Sequence, residues 1–152
     1  MEQRIAPFRY PLAPLLKRDL WDRNTLGGEL QRARILVDQS QRACDSALAQ
    51  VTAAEQRMRD IGTQDRIIEL EARRMLQVYL EQAHVAESLR RTELKQAHRL
   101  LEQVLAQFEH KRLAVRMLET HRDHQQQDHQ VEQGRSQQRA ADEAWLTRLA
   151  WR

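Results

Sequence analysis

The sequence predicts an all-α fold, a long antiparallel two-helix coiled-coil hairpin in which helix 2 is longer than helix 1. The main observation is a stripe of small and apolar residues that recurs at alternating spacings of four and three residues. A stripe with this mean period of 3.5 can be buried only against another helix, in a left-handed supercoil. Its members are Leu26, Leu30, Ala33, Val37, Ser40, Cys44, Ala47, Val51, Ala54, Met58 and Ile61.

Composition supports long helices and little else. Of the 152 residues, 31% are charged and only 5% are aromatic, and the three prolines all lie near the N-terminus. This profile is typical of coiled coils, and it leaves few residues from which strands or loops could be built. The sequence therefore predicts a single helical domain without a thick globular core.

The distribution of charged and apolar residues argues against nucleic-acid binding, membrane insertion and secretion. The 25 basic and 22 acidic residues are intermixed, so there is no basic stripe for nucleic acid. No apolar run approaches the roughly 20 residues of a membrane span, and the N-terminus lacks the apolar core of a signal peptide. The single cysteine, Cys44, fits a small seam residue in a reducing compartment. We therefore expect a cytoplasmic protein with no nucleic-acid partner and no membrane insertion.

Residues 1–11 are expected to form an irregular arm, and residues 12–61 to form helix 1. Pro11 and Pro14 can occupy the first turn of a helix, where their missing N–H groups cost nothing. The apolar residues that follow do not continue the heptad register, which would place Asp19 and Arg23 on the seam. We therefore expect this end of the hairpin to splay or to contact another molecule.

Glycines are expected to mark the turn but not to break helix 1. The pair at 27 and 28 costs roughly 2 kcal/mol relative to two alanines, and we expect the helix to continue through it. Gly62 suits the left-handed position after a helix and Thr63 suits an N-cap, so residues 62–64 are predicted to form the turn. Facing residues should then have numbers adding to roughly 125, which places Leu30 near Lys95.

Helix 2 is expected over residues 65–150, and an interruption near Gly134 is left open. Its apolar residues keep the alternating spacing, with Glu87, Arg90 and Lys111 as polar interruptions. This pattern predicts the second half of the seam. The seam residues of helix 2 are Leu76, Leu80, Ala83, Leu94, Ala97, Leu101, Val104, Phe108, Val115 and Leu118.

Near the hairpin tip, helix 2 is apolar over more than one row. The register running on from Leu94 favours Leu76 and Leu80 as the internal row. A second row lies roughly 60 to 120° away on a helical wheel, and one partner helix cannot cover both. This outer row would be covered by packing at the tip, by dimerisation or by a separate protein. It comprises Ile68, Met75 and Tyr79, and Val78, Val85 and Leu89 widen it.

The C-terminal part of helix 2 changes character twice. Residues 121–139 are almost devoid of apolar side chains, which predicts a solvated helix or one that depends on a partner. Residues 140–151 restore an amphipathic pattern. We expect these residues and the irregular start of helix 1 to be completed by a partner surface. The side chains concerned are Leu15, Leu16, Leu20, Trp21, Trp145, Leu149 and Trp151.

The histidines and the single cysteine are the side chains that could carry metal binding or nucleophilic chemistry. The cluster of His121, His124, Asp128 and His129 lies on neighbouring helix turns, but zinc needs a fixed tetrahedral set with outer-shell support, which a polar exposed face does not supply. Cys44 has no pocket that would activate it as a nucleophile. We therefore predict no catalytic residues, no metal site and no cofactor, and expect that the protein is not an enzyme.

Three short stretches carry a resemblance to a known family. They are FRYPLAPLL at residues 8–16, KRL at 111–113 with LETHR at 118–122, and ADEAW at 141–145 followed by Leu146, Arg148 and Leu149. In these stretches, and as a helical hairpin of about 150 residues with a longer second helix, the chain resembles the FliJ/YscO family of type III secretion stalk proteins. That family serves flagellar and injectisome export machines.

The resemblance implies a stalk similar to the antiparallel coiled coil of the rotary ATPase gamma subunit. The termini would enter the pore of the hexameric export ATPase and promote its assembly and activity. Helix 2 near the tip would contact the cytoplasmic domain of the export gate, and some members also handle secretion chaperones. The terminal side chains named above become candidates for ATPase binding, and Ile68, Met75 and Tyr79 become candidates for gate binding. The expected location is the cytoplasmic base of a membrane-embedded secretion apparatus.

Two other interpretations remain open. One is a generic coiled-coil scaffold or secretion chaperone whose helices pair between chains, for which dimerisation would be evidence. The other is an RNA-binding helical arm, for which salt-sensitive binding of nucleic acid would be evidence. The leading interpretation is a monomeric, non-enzymatic stalk and coupling factor.

Overall fold

The computed structural model describes residues 7–63 and 70–150, and it confirms the predicted hairpin. Two α-helices pack against each other, α1 over Ala13–Thr63 and α2 over Leu70–Ala150. The described residues include no strand. By their contacts the residues form two compact units, Thr25–Phe108 and Met1–Asn24 with Glu109–Arg152, which are described separately below.

Helix α1 begins near its prolines and continues through its glycines, as the sequence predicts. The backbone N–H of Ala13 donates to the carbonyl of Tyr10 at 3.2 Å, and Pro14 lies in the first turn of α1. The helix passes through Gly27 and Gly28 without a break. A Cβ built on Gly27 would lie 3.6 Å from Phe108 Cε2, whereas one on Gly28 would meet nothing within 4 Å.

The predicted turn at Gly62 is wrong. Helix α1 includes Gly62 and Thr63, and no glycine of the described residues has a positive φ. One glycine costs a helix only about 1 kcal/mol, which the packing of the seam outweighs. Residues 64–69, which separate α1 from α2, lie outside the described residues.

The register of the hairpin differs from the predicted one. In the unit Thr25–Phe108, Gly27 faces Phe108 and Glu55 Oε1 lies 3.7 Å from His84 Nε2. Facing residues therefore have numbers adding to about 137, not 125, and the predicted proximity of Leu30 and Lys95 is wrong. At 1.5 Å per residue, Lys95 lies about 18 Å along α2 from the position opposite Leu30.

The seam itself lies where the period predicts. Every seam residue of both helices is buried or half-buried, and Cys44 is half-buried on it with a free thiol. Because the buried positions are mainly alanine and valine, the two helix backbones can approach closely. In the unit Thr25–Phe108 the buried residues are Leu30, Ala33, Ala47, Val51, Ala54, Ala83, Ala97 and Val104.

Helix α2 is not interrupted near Gly134. It runs to Ala150, and side-chain ion pairs span the glycine. Glu132 Oε1 accepts from Arg139 Nη2 at 2.5 Å, and Glu132 Oε2 lies 3.7 Å from Arg135 Nη1. A pair three residues apart on one helix face, such as Glu132 with Arg135, contributes a few tenths of a kcal/mol.

Candidate interaction surfaces

A polar layer replaces the apolar seam near the start of α1. Lys111 Nζ lies 3.0 Å from Asp19 Oδ1 and 2.8 Å from Asp22 Oδ2. Asp19 is only 5% exposed, and Arg18 Nη2 approaches the same carboxylate oxygen at 3.3 Å. The expectation that this end splays is therefore wrong, because Asp19 does lie on the seam and is paired across it.

The layer also shifts the protonation equilibria of its members. The hydrogen bond from Lys111, helped by Arg18, lowers the pKa of Asp19, although burial alone would raise it. Hydrogen bonds to Asp22 and then to Asp19 raise the pKa of Lys111. Both shifts favour the charged forms, so the layer is an ion-pair network.

The N-terminal arm packs along α2. The Tyr10 hydroxyl donates to the carbonyl of Leu118 at 3.1 Å and lies 3.0 Å from His121 Nδ1. The Phe8 ring lies 5.6 Å from the His129 ring, centroid to centroid. The arm therefore covers part of the polar stretch 121–139, which sequence reasoning left without a partner. The available signal was two aromatic residues in the arm and histidines eight residues apart on α2.

The candidate ATPase-binding residues of α1 differ in accessibility. Leu16 is buried at 7% exposure, so its expected availability to a partner is incorrect. Leu15 and Leu20 are half-buried. Trp21 is 68% exposed, which makes it the most accessible member of this group.

The C-terminal end of α2 presents a bare amphipathic face. All residues from Gly134 to Ala150 are exposed, and exposed fractions reach 63% at Trp145 and 49% at Leu149. These two side chains are four residues apart and share one helix face, with Leu146 beside them. Trp151 lies outside the described residues.

At the hairpin tip the outer row is exposed and the inner row is covered. Met75 is 69% and Tyr79 42% exposed, whereas Leu76 and Leu80 are half-buried. The structure thus resolves which row faces outward. Ile68, the third candidate for gate binding, lies outside the described residues.

The outer row continues along α2 beyond the tip. Val78, Val85 and Leu89 are 52%, 71% and 56% exposed. Further along the same face, a groove of about 480 Å³ opens between the helices. Its walls include Leu36, Ser40 and Ala43 of α1 and Ala97 and Leu100 of α2.

Within residues 7–63 and 70–150, no group of three or more His, Cys, Asp or Glu side chains could hold a metal ion. Neither described helix contains a stretch long and apolar enough to cross a membrane.

Comparison with known proteins identifies no relative of this chain. A scan against models of protein families finds no match, and searches of the curated proteins and of the solved structures return none either.

Proposed function

We propose that this chain is a non-enzymatic stalk and coupling component of a type III protein export apparatus, similar to the FliJ/YscO family. It associates with the hexameric export ATPase, stimulates it and contacts the cytoplasmic domain of the export gate. Its site of action is the cytoplasmic base of the membrane-embedded apparatus. The fold supports this proposal only in general terms, because two-helix coiled coils serve many functions.

The observation that carries the proposal is the uncovered C-terminal end of α2. The arm packs along α2 as far as His129, and from Gly134 onward every described residue is exposed. An apolar face built around Trp145 and Leu149 is stabilised when a partner buries it, at about 25 cal/mol per Å² of apolar surface. Tryptophan is also the residue type most enriched at sites that dominate binding energy. In the proposed function this partner is the wall of the ATPase pore.

The tip supplies the second contact. The exposed pair of Met75 and Tyr79 offers one flexible and one aromatic side chain to the export gate. Methionine adapts to irregular surfaces, and tyrosine combines apolar area with a hydroxyl. Because this pair is separate from the inner row, gate binding would leave the hairpin closed. Binding of secretion chaperones belongs to the same proposal.

A matched pair of variants tests the ATPase contact. Trp145→Ala with Leu149→Ala should abolish stimulation of the cognate export ATPase and its assembly into hexamers. Leu113→Ala with Met117→Ala is the control, because these residues are also four apart on α2, and they are 57% and 72% exposed. Equal stimulation by both double variants would contradict the proposal.

A generic scaffold or secretion chaperone is the second candidate, and the long exposed row of α2 favours it. In that case the chain would bind helical partners without changing the turnover of any ATPase. Binding of the row residues to a secretion substrate or chaperone, with no effect of the chain on the export ATPase, would support this alternative.

A further inference from the structure

The outer row and the groove belong to one continuous face of α2. Positions 75, 78, 82, 85, 89, 93, 96 and 100 follow one another at spacings of three or four residues. Such spacing keeps them on one side of the helix in a supercoil with a further helix. The face is therefore a second stripe on α2, distinct from the seam, although two spacings of four follow each other at positions 85, 89 and 93. It lies entirely in the unit Thr25–Phe108.

This second stripe is nearly symmetrical when its order is reversed. If a second α2 ran antiparallel to the first, Met75 would lie opposite Leu100 and Val85 opposite Leu89. Gln82 would lie opposite Glu93, whose carboxylate already accepts from Arg90 at 2.8 Å. Apolar layers would thus meet apolar layers at the centre and at both ends. Between them lie this polar layer and a mixed layer in which Val78 faces Gln96. A two-fold interface requires this kind of self-complementarity.

The groove could accept side chains of the outer row from a second copy of the chain. It opens beside the 90–100 part of α2, which is the part that faces residues 75–85 of an antiparallel copy. Met75, at 69% exposure, would enter between Leu36 and Leu100, which are 42% and 43% exposed. The small side chains of Ser40 and Ala43 leave room for a methionine there.

We propose that the free protein forms a reversible antiparallel homodimer through this face, with the two-fold axis between Val85 and Leu89. Each hairpin remains closed on itself, which separates this dimer from a scaffold whose seam helices pair between chains. A stripe of about 38 Å by a helix width of about 10 Å covers roughly 400 Å² per chain, which is less than a stable interface buries, so the association is weak. The dimer is therefore in equilibrium with the monomer expected from the sequence.

The dimer covers Met75, so the dimer and any partner that binds Met75 at the tip exclude each other. The inference rests on the stripe and the groove and does not depend on the proposed function. Arg74 and Arg99 lie on one flank of the stripe, and the two-fold axis brings them together between chains. Salt should therefore strengthen the dimer, because it screens this repulsion.

Analytical ultracentrifugation of the full chain over a wide range of concentration tests the proposal. The mass of the native protein should rise from that of one chain to that of two, at lower concentration in higher salt. Leu100→Glu and Val85→Glu should each weaken association by at least about tenfold, because each buries a charge in the interface. Leu48→Glu is the control, since Leu48 is similarly exposed at 48% but lies about 120° from Leu36 on α1.

A disulfide experiment tests the orientation. In a Cys44→Ser background, Val85→Cys and Leu89→Cys chains of different mass are mixed and oxidised. The proposal predicts that the mixed pair links preferentially, whereas parallel pairing would link like with like. A mass of one chain at every concentration, or unchanged association of folded Leu100→Glu and Val85→Glu variants, would overturn it. Neither measurement involves an ATPase or an export gate, so failure here leaves the proposed function untouched.

Discussion

Lys111 Nζ lies 3.0 Å from Asp19 Oδ1, and these two residues are 92 positions apart in the chain. The contact joins α1 to α2 in the unit that contains both chain ends. Where an apolar seam tolerates sliding by whole heptads, a charged pair stabilises only the register that brings its members together. The polar layer is therefore a device that fixes how the two helices align.

The layer predicts a coupled response to substitution. Lys111→Leu should lower the melting temperature by several degrees, because it leaves the buried Asp19 carboxylate without its cross-helix partner. Asp19→Leu combined with Lys111→Leu should recover much of that loss, since two apolar side chains suit the seam. If the decrease in melting temperature of the double variant equals the sum of the decreases of the two single variants, the residues act independently.

The same pair predicts two limits of pH dependence. The pKa of Asp19 is lowered from its ordinary value of 3.8, so its contribution to stability is present above pH 3.8 and is lost as the pH falls through the folded-state pKa. The pKa of Lys111 is raised from 10.5, so its contribution is present below pH 10.5 and is lost as the pH rises through the folded-state pKa.

Stability measured against pH with matched variants tests both limits. The destabilisation caused by Asp19→Asn should be constant near neutral pH and should shrink below pH 3.8. The destabilisation caused by Lys111→Met should shrink above pH 10.5. A difference that is flat through both limits would contradict the ion-pair account.

Two glycines offer sites for stabilisation. Gly28 and Gly134 are helical, and a Cβ at either would meet nothing within 4 Å. Gly28→Ala and Gly134→Ala should therefore each raise the free energy of unfolding by up to about 1 kcal/mol, through the lower entropy of the unfolded chain. Urea denaturation measures the change, and a loss of stability in either variant would mean that a bend at that glycine is required.

The two rows at the tip predict opposite effects of similar substitutions. Leu76→Ala with Leu80→Ala should lower the free energy of unfolding by about 2 to 4 kcal/mol, since both residues are half-buried on the seam. Met75→Ala with Tyr79→Ala should change it by less than about 1 kcal/mol, while weakening binding to the export gate. Thermal melting at low protein concentration and a pull-down with the gate domain provide the two readouts. Equal melting losses, with gate binding intact in the second variant, would refute the assignment of the rows.

The hydrophobic period predicted the buried faces of the two helices but not their register. A 3.5-residue repeat identifies the buried face of each helix, which is why Val51 and Ala97 lie where predicted. It does not encode register, because one heptad resembles the next, and Gly62 was too weak a signal to locate the turn. The pairing of Asp19 with Lys111 was missed because Lys111 was counted as an interruption of the seam and Asp19 as a sign that the register is lost. Their opposite charges were a readable signal.

The contacts of the N-terminal arm could not be predicted for a different reason. Residues before Pro11 have no periodic pattern, so periodicity does not predict that Tyr10 reaches Leu118. Long-range contacts of irregular segments depend on the shape that the helices create. The exposed C-terminal face, in contrast, was predictable from local spacing, because Trp145 and Leu149 form an apolar pair within a polar stretch.

Turnover of the cognate export ATPase with a chain truncated after Gln133 tests the central claim most directly. Removal of residues 134–152 should leave the seam and the arm contacts intact, because every described residue from Gly134 onward is exposed. The account predicts that the full chain promotes hexamer assembly and raises turnover, and that the truncated chain remains helical but does neither. Full stimulation by the truncated chain, or no stimulation by the full chain, would contradict it.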